Sequence, residues 1–257
     1  MDYPQFKKLA GDLTGIDLSN YKSQQMDRRI NSLMQAWNIL TYQDFLNILK
    51  TDPKKYKDFV NKLTINVSEF FRNPDRFTDL GQHILPELLQ KNKQVKIWSA
   101  GCSNGSEPYS VAIILKELQA ENQGKIFATD LDREILIKAQ NGVYLSNEIR
   151  NLTPELLGKY FTPKNNGYVL HDSIKKMVEF KYHNLLDDAY ETELDLIICR
   201  NVVIYFTEAA KNTMYKKFYN SLKTGGYLLV GGTEPLLTYR QLGFENIWPS
   251  FYRKIEQ

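Results

Sequence analysis

The strongest constraint on the fold of this sequence is an alternation of short apolar segments with longer helical ones that begins near Pro74. The predicted strands cover residues 94–99, 125–129, 194–199 and 226–231, and the predicted helices run near 77–88, near 107–119, from Asp132, and near 207–222. Strands that alternate with helices form a parallel sheet, because each connection must cross back over one face. We therefore predict an α/β fold with a doubly wound, mostly parallel sheet, completed by a returning strand after Phe244.

The region before that alternation has the period of helices instead. The apolar residues that share a helical face are Phe6, Leu9 and Leu13; Ile30, Leu33, Met34 and Trp37; Phe45, Leu46 and Leu49; and Tyr56, Phe59, Val60 and Leu63. Asp52 before Pro53, and Asn73 before Pro74, each combine a capping side chain with a proline suited to a first turn. Residues 64–72 have no clean period. We predict a small N-terminal helical domain with its linker at 1–72 and a second domain at 73–257.

One stretch of the second domain does not follow the parallel pattern. Residues 168–182 alternate polar and apolar side chains and are interrupted by turns, which is typical of antiparallel strands. The turn at 164–167, KNNG, is compact. We predict an inserted small antiparallel subdomain at about 160–182.

The composition limits the class of protein. The chain has 257 residues, 42% of them hydrophobic and 25% charged, as in ordinary globular proteins. No run approaches the roughly 18 apolar residues of a membrane span, and the start lacks a basic segment followed by an apolar one, so we expect a cytoplasmic protein without membrane insertion. The formal charge is only +3, which favours a protein partner over a nucleic acid. Only Cys102 and Cys199 occur, and no metal-ligand spacing is found, so no metal site is predicted.

Ligands of open α/β sheets lie beyond the carboxyl ends of the strands, so the residues that follow each strand are informative. The first strand leads into a loop with Gly101 and Gly105, and Glu107 opens the next helix. The fingerprints of phosphate loops are absent, and a carboxylate at this position suits a cationic ligand. The alternative is a purely structural loop with a helix-opening glutamate.

The ends of the next two buried strands also carry polar residues. Asp130 follows Gly105 by 25 residues, where a carboxylate can accept both hydroxyls of a ribose; the alternative is that it caps the following helix. Arg200, Asn201 and Tyr205 follow the strand at 194–199. A buried arginine needs partners, which a ligand or a structural carboxylate such as Asp195 can provide.

Four motifs in this order resemble the chemotaxis methyltransferase family, CheR. They are NVSEFFR at 66–72, WSAGCSNGSEPYS at 98–110, ATDLD at 128–132 and CRNVVIYF at 199–206. The order of helical domain, linker, sheet and inserted strands is similar too, so the resemblance covers nearly the whole chain. It implies a class I methyltransferase-like fold, S-adenosylmethionine as cofactor, and the esterification of glutamate side chains on bacterial chemoreceptors.

The resemblance also implies roles for individual residues. The implied cofactor-binding residues are Asn66, Ser68, Arg72, Glu107, Asp130, Asn184, Leu185, Arg200 and Asn201. Tyr205 corresponds to the family's tyrosine near the transferred methyl group, and Arg200 and Tyr205 form the implied catalytic pair. Whether Arg200 holds the substrate or the cofactor stays open, and for Asn66 and Ser68 the alternative is ordinary linker polarity.

A basic helix around Lys22, Arg28 and Arg29 is the predicted docking site for acidic helical segments of the receptor. The alternative is a solvated basic face, since Asp27 adjoins the two arginines. Some members of the family hold a receptor peptide on their inserted strands. Because the insertion is short here, we predict that this chain does not depend on such a tether, and we expect it to act as a monomer.

Two rival functions are kept. A nucleic-acid methyltransferase commonly carries [ND]PP[YF] at the position that follows the strand at 194–199, where this chain has RNVVI. A methyltransferase-like module could also bind the receptor without turnover. Both are less consistent with the full set of motifs.

Overall fold

The computed structural model describes residues 1–64 and 66–256. The described residues divide into two compact units, one of residues 1–64 with 204–213 and one of residues 66–203 with 214–256. Residues 66–72 thus fall within the second unit, while the predicted domain boundary after residue 72 stays a prediction. None of the helices in these two ranges combines the length and the apolar character needed to cross a membrane.

The first unit contains four complete α-helices among its described residues. They are α1 (Tyr3–Thr14), α2 (Ser23–Ala36), α3 (Tyr42–Thr51) and α4 (Pro53–Leu63). Phe6, Ile30, Phe45 and Phe59, one from each helix, are fully buried and form its core. The prediction for α1 was wrong at Leu9, which is 42% exposed. The next two residues, Ala10 and Gly11, face the core instead. Their small size lets the following chain pack closely: a Cβ on Gly11 would lie 2.9 Å from the carbonyl oxygen of Ile16.

The two Asx-Pro pairs begin helices by different means. Asp52 caps α4, since its carboxylate accepts hydrogen bonds from the N–H groups of Lys54 and Lys55. A helix also begins at Pro74, but Asn73 has a left-handed φ of 59° and makes no side-chain cap. The predicted capping role of Asn73 is therefore wrong. Its side-chain oxygen accepts a hydrogen bond from Arg200 instead.

The second unit is built on a seven-stranded sheet. The strands of the described residues are β1 (Val95–Ala100), β2 (Gly124–Asp130), β3 (Val143–Tyr144), β4 (Phe161–Lys164), β5 (Gly167–Leu170), β6 (Val178–Tyr182), β7 (Leu194–Cys199), β8 (Leu222–Val230), β9 (Phe244–Trp248) and β10 (Phe251–Lys254). The large sheet has the order β6-β2-β1-β7-β8-β10-β9. Its first five strands run parallel and β10 is antiparallel to both neighbours. This confirms the predicted doubly wound, mostly parallel, class I methyltransferase-like fold.

The helices of this unit precede the first strand or connect the strands. They are α5 (Pro74–Asp79), α6 (Leu85–Lys91), α7 (Ser106–Glu117), α8 (Arg133–Asn141), α9 (Pro154–Tyr160), α10 (Asp172–Lys175) and α11 (Glu208–Ser221), whose first residues belong to the other unit. The core lies on the central strands, where all six residues of β7 are buried and α7 is buried over most of its length. Because parallel strands are covered on both faces, they carry no polar alternation, as the sequence indicated.

A separate three-stranded antiparallel sheet has the order β3-β5-β4. The antiparallel strands predicted from the sequence are thus present, and β4 and β5 form a hairpin with a two-residue turn at 165–166. The assignment of residues 178–182 to this insertion was wrong, because β6 pairs in parallel with β2 at the edge of the large sheet. One face of β6 is covered, at Val178 and Phe180, and the other is exposed, so its side chains alternate much as those of an antiparallel strand do.

Candidate functional site at the carboxyl ends of the strands

The loop after β1 has an unusual backbone. Gly101, Ser103 and Gly105 have positive φ angles of 77°, 51° and 82°. A Cβ on Gly101 would lie 2.5 Å from Cγ2 of Val202, and one on Gly105 would lie 2.9 Å from Cβ of Ala139. Glycine is therefore required at both positions by the left-handed backbone and by the close approach of neighbouring segments.

The residue that follows β7, Arg200, lies at the centre of the site. Its side chain is 2% exposed, and its Nη1 lies 3.4 Å from Oε2 of Glu107. Its Nη2 donates to the carbonyl of Arg72 at 2.8 Å and to Oδ1 of Asn73 at 2.7 Å. The hydroxyl of Ser99 donates to the other oxygen of Glu107 at 2.9 Å. One buried arginine thus joins the loop after β1, the end of β7 and the segment before α5.

Burial dominates the electrostatics of this pair. It raises the pKa of Glu107, and the positive charge of Arg200 partly offsets that rise. It also lowers the pKa of Arg200, and the negative charge of Glu107 partly offsets that fall. Nε of Arg200 is buried and has no hydrogen-bond partner among the residues that the structure describes. Asp195 is not its partner, because that carboxylate accepts from Lys223 and from the N–H of Lys96. Asp195 is therefore not the structural partner of Arg200, and the carboxylate that lies against Arg200 is that of Glu107.

Asp130 ends β2 in the same site. Its carboxylate accepts from the N–H of Ser103 at 2.8 Å and from the N–H of Asp132 at 3.0 Å. Asp132 caps α8, so the alternative that Asp130 is the cap is wrong. Burial raises the pKa of Asp130 to about 6, against the opposing effect of the two N–H groups. The carboxylate is therefore ionised at neutral pH and retains lone pairs for further donors.

Three predicted residues lie on the segment between residue 66 and α5. Nδ2 of Asn66 donates to Asp132 at 2.7 Å, which puts this amide beside the loop that carries Asp130. The carbonyl of Ser68 lies 3.5 Å from Nδ2 of Asn104 in the glycine loop. The guanidinium of Arg72 donates to a carbonyl of its own segment at 3.2 Å. This segment therefore borders the loops after β1 and β2.

Asn184 and Leu185 follow β6 and are both buried. The N–H of His183 donates to the carbonyl of Asp130 at 3.1 Å, which holds this segment against the end of β2. The side-chain amide of Asn184 donates to Asp187 at 2.6 Å and accepts from a following N–H, so it shapes its own turn. The chain thus brings the segment at 184–185 beside Asp130.

Two further residues belong to the site but were not predicted from the sequence. Glu234, buried beyond β8, accepts hydrogen bonds from the N–H groups of Asn201 and Gly231. Ser103 has a buried hydroxyl with no hydrogen-bond partner in the described ranges. The available signal for Glu234 was an acidic residue directly after the last parallel strand, in GGTE.

Four predicted residues lie in the helical unit. The carbonyl of Tyr205 accepts from the N–H of Lys22 at 2.9 Å, and the guanidinium of Arg29 lies 4.9 Å from the centre of the Tyr205 ring. Arg29 also donates to the carbonyl of Leu63 at 2.7 Å, and burial lowers its pKa. Arg28 is exposed. Within this unit the structure therefore groups Lys22, Arg29 and Tyr205, and it leaves Arg28 facing solvent.

The site at the strand ends can bind a polar ligand through hydrogen bonds. It offers an ionised carboxylate, Asp130, and two buried groups with unused hydrogen-bonding capacity, Nε of Arg200 and the hydroxyl of Ser103. Unmatched polar groups and left-handed residues concentrate at ligand sites rather than in structural cores. The described residues contain no group of three or more histidine, cysteine, aspartate or glutamate side chains that could hold a metal ion.

Comparison with known proteins is consistent with this site. The CheR methyltransferase SAM binding domain matches residues 66–247, and the CheR methyltransferase all-alpha domain matches residues 1–64. The cofactor is therefore S-adenosylmethionine.

Similar proteins cover nearly the same length. A chemotaxis protein methyltransferase from Listeria monocytogenes is 38% identical over 98% of this chain and 97% of its own length. One from Borreliella burgdorferi is 35% identical over 96% of this chain and 92% of its own, and one from Escherichia coli is 31% identical over 90% and 83%. With both domains matched and the site at the strand ends in place, the chain belongs to the CheR family of S-adenosylmethionine-dependent methyltransferases.

Proposed function

We propose that this protein transfers the methyl group of S-adenosylmethionine to glutamate side chains of bacterial chemoreceptors and forms glutamate methyl esters. The observation that carries the proposal is the buried centre formed by Arg200, Glu107 and the segment before α5, beside Asp130, in a chain whose relatives are named chemotaxis methyltransferases.

The residues at the strand ends divide the binding of the cofactor among them. Asp130, ionised at neutral pH, accepts hydrogen bonds from the ribose hydroxyls. Glu107, with Asn66, Ser68 and Arg72 from the neighbouring segment, contributes further contacts to the cofactor. Asn184 and Leu185, held beside Asp130, and Arg200 and Asn201 complete the site. The bound cofactor supplies the electrophilic methyl group.

The reaction needs alignment more than proton transfer. A glutamate side chain with a pKa of about 4.3 is already ionised near neutral pH, so no general base is required. A dry site that aligns a carboxylate with the methyl group supplies much of the rate. Arg200, with a side chain only 2% exposed, is too deeply buried to meet a receptor, so we assign it to the cofactor side and Tyr205 to the substrate side.

The two arginines of α2 have different roles. Arg29 is half-buried, bonded to Leu63 and packed on the ring of Tyr205, so it braces that tyrosine. Arg28 is exposed and is available to an acidic helix of the receptor. Lys22, at the start of α2, adds positive charge at the same end.

The activity is tested with the purified protein, labelled S-adenosylmethionine and receptor-containing membranes. We expect label on the receptor that is released by mild base, as a methyl ester is. Alkali-resistant label would indicate an amine or amide acceptor, and label on added RNA or DNA would indicate a nucleic-acid substrate. Binding of the cofactor without any transfer would indicate a non-catalytic module.

Docking is tested by reversing the charge of Arg28. Arg28→Glu should raise the KM for receptor by roughly twofold to fivefold, the effect of about 0.4–1 kcal/mol for an exposed charge, and flatten its salt dependence. Lys50→Glu, at an exposed position of α3, is the matched control and should leave KM unchanged. Equal effects of both substitutions would mean that net charge matters and α2 does not.

The three-stranded sheet bears on the prediction that methylation does not depend on a bound receptor peptide. The β4–β5 hairpin has four residues in each strand, so it offers a short edge for strand addition. Removing the C-terminal tail of the receptor should therefore leave the methylation rate nearly unchanged. A large loss of rate would mean that this chain does use a peptide tether.

A further inference from the structure

A single carboxylate oxygen joins the ends of two central strands. Oε2 of Glu234 accepts from the N–H of Asn201 at 2.5 Å, just after β7, and from the N–H of Gly231 at 3.1 Å, just after β8. The N–H of Glu234 donates back to the carbonyl of Gly231 at 3.0 Å. Glu234 is 4% exposed, so these charge-assisted bonds are shielded from water.

The bond to Asn201 fixes an unfavourable backbone conformation. Asn201 has a φ of 60°, in the left-handed region that residues other than glycine seldom adopt. Such a residue keeps its conformation only where surrounding contacts determine it. The hydrogen bond from the N–H of Asn201 to Glu234 is one such contact. It sets the direction in which the chain leaves β7, next to Arg200.

The sequence makes room for this carboxylate. A Cβ on Gly231 would lie 2.2 Å from Oε2 of Glu234 and 3.0 Å from the nitrogen of Asn201. Any larger residue at 231 would therefore displace the carboxylate from both N–H groups. The negative charge of Glu234 also reaches the centre of the site, where it adds to burial in raising the pKa of Glu107.

We propose that Glu234 is a positioning residue for the cofactor: it holds Asn201 and the end of β7 in the arrangement that binds S-adenosylmethionine. The inference rests on the proposed role of Asn201 in cofactor binding. Glu234 does not itself touch the cofactor, and it acts through the two N–H groups that it accepts from. The alternative is that Glu234 only stabilises the sheet.

A matched control at the other end of β7 separates the two roles. Asp195, 2% exposed, also accepts a backbone N–H, from Lys96 at 2.7 Å, but it lies at the amino end of β7. Glu234→Ala and Asp195→Ala therefore both remove a buried carboxylate that binds main chain. We expect both to unfold at lower urea concentration, while Glu234→Ala alone weakens binding of S-adenosylhomocysteine, by tenfold or more in titration calorimetry. Glu234→Gln, which keeps an acceptor oxygen, should recover part of that affinity.

Affinity that stays at the wild-type level in Glu234→Ala, or that falls equally in both alanine variants, overturns the proposal. If Glu234→Ala does not fold, Gly231→Ala is the test. Its added Cβ should displace the carboxylate of Glu234 from the two N–H groups and so weaken binding of S-adenosylhomocysteine. Wild-type affinity in Gly231→Ala overturns the proposal as well. Because binding is measured without receptor, a failure here is distinct from a failure of the proposed receptor substrate.

Discussion

The two ends of β7 differ in how their charged groups are compensated. At the amino end, Asp195 accepts from Lys223 at 2.8 Å and from the N–H of Lys96 at 2.7 Å. At the carboxyl end, the Nε of Arg200 has no hydrogen-bond partner within residues 1–64 and 66–256, and Asn201 has a left-handed backbone. Both ends are buried, but within the described residues the carboxyl end keeps one buried polar atom, Nε of Arg200, that is not matched.

This difference identifies the functional end of the sheet. A group that is buried, charged and only partly matched costs free energy in the protein alone, and a bound ligand can offset that cost. The raised pKa of Asp130 has the same origin, since burial disfavours its charged form. This difference supports the proposal that the carboxyl end binds the cofactor, whereas the amino end stabilises the sheet.

The largest effect is expected when the centre of the carboxyl end is removed. Arg200→Met leaves Glu107 buried without its cation and releases Arg72 and Asn73. Removing one partner of a buried pair costs about 3–5 kcal/mol of folding free energy. Urea unfolding should show this loss, and calorimetry should show no binding of S-adenosylhomocysteine at concentrations that saturate the wild type. A variant that binds normally would show that the centre is structural.

Asp130→Asn should weaken cofactor binding without weakening the fold. Loss of a charged acceptor for the ribose costs about 1–3 kcal/mol of binding free energy. The folded pKa, about 6, lies above the unfolded value of 3.8, so ionisation of Asp130 opposes folding above pH 6 and this penalty is relieved as the pH falls through 6 towards 4. At pH 8 the free variant should therefore be at least as stable as the wild type in urea.

The pH dependence of binding runs the other way. Because the ribose hydroxyls donate to the ionised form, wild-type affinity should fall as the pH drops below about 6 and Asp130 gains a proton. The affinity of Asp130→Asn should change little over the same range. Parallel pH profiles for the two proteins would assign the titration to another group.

Substitution of Asp195, at the amino end of β7, tests whether that end affects only the stability of the fold. Asp195→Ala leaves the N–H of Lys96 and the ammonium of Lys223 without their acceptor, which costs about 1–3 kcal/mol of folding free energy. Since no cofactor contact is predicted there, affinity for S-adenosylhomocysteine should stay at the wild-type value. A loss of affinity would mean that the two ends of β7 are coupled.

The smallest effect concerns His183, whose Nε2 is buried without a hydrogen-bond partner in the described part of the chain. Burial lowers its pKa, and Lys217 adds to this, while Asp188 and Glu191 oppose it. The unfolded state thus binds the proton more readily, so stability is present above pH 6.5 and declines as the pH falls below it. Relative to His183→Gln, the wild type should lose stability between pH 7 and pH 5, measured by urea unfolding. If the wild type and His183→Gln differ by the same free energy of unfolding at pH 7 and at pH 5, the lowered pKa of His183 is contradicted.

Several features of the site followed from short segments of sequence. The strands before Gly101 and Asp130 were predicted because uniform burial in a parallel sheet leaves apolar runs, and the polar residues after them lie at the ligand edge by topology alone. The start of α4 was predicted because capping by Asp52 involves only the next three residues. Edge strand β6 was misassigned, since half-covered strands of either direction alternate alike.

The sequence by itself determined the alternation of strands and helices, the glycine loop and the carboxylate at the end of β2, because these depend on local period and on backbone conformations that few residues adopt. Only the tertiary structure decided the partners of the buried charges. Asn73 binds Arg200 across 127 residues of chain, and Glu234 reaches Asn201 across 33. Such pairs have no local pattern, since a buried charge takes whichever acceptor or donor the folded sheet brings within hydrogen-bond distance.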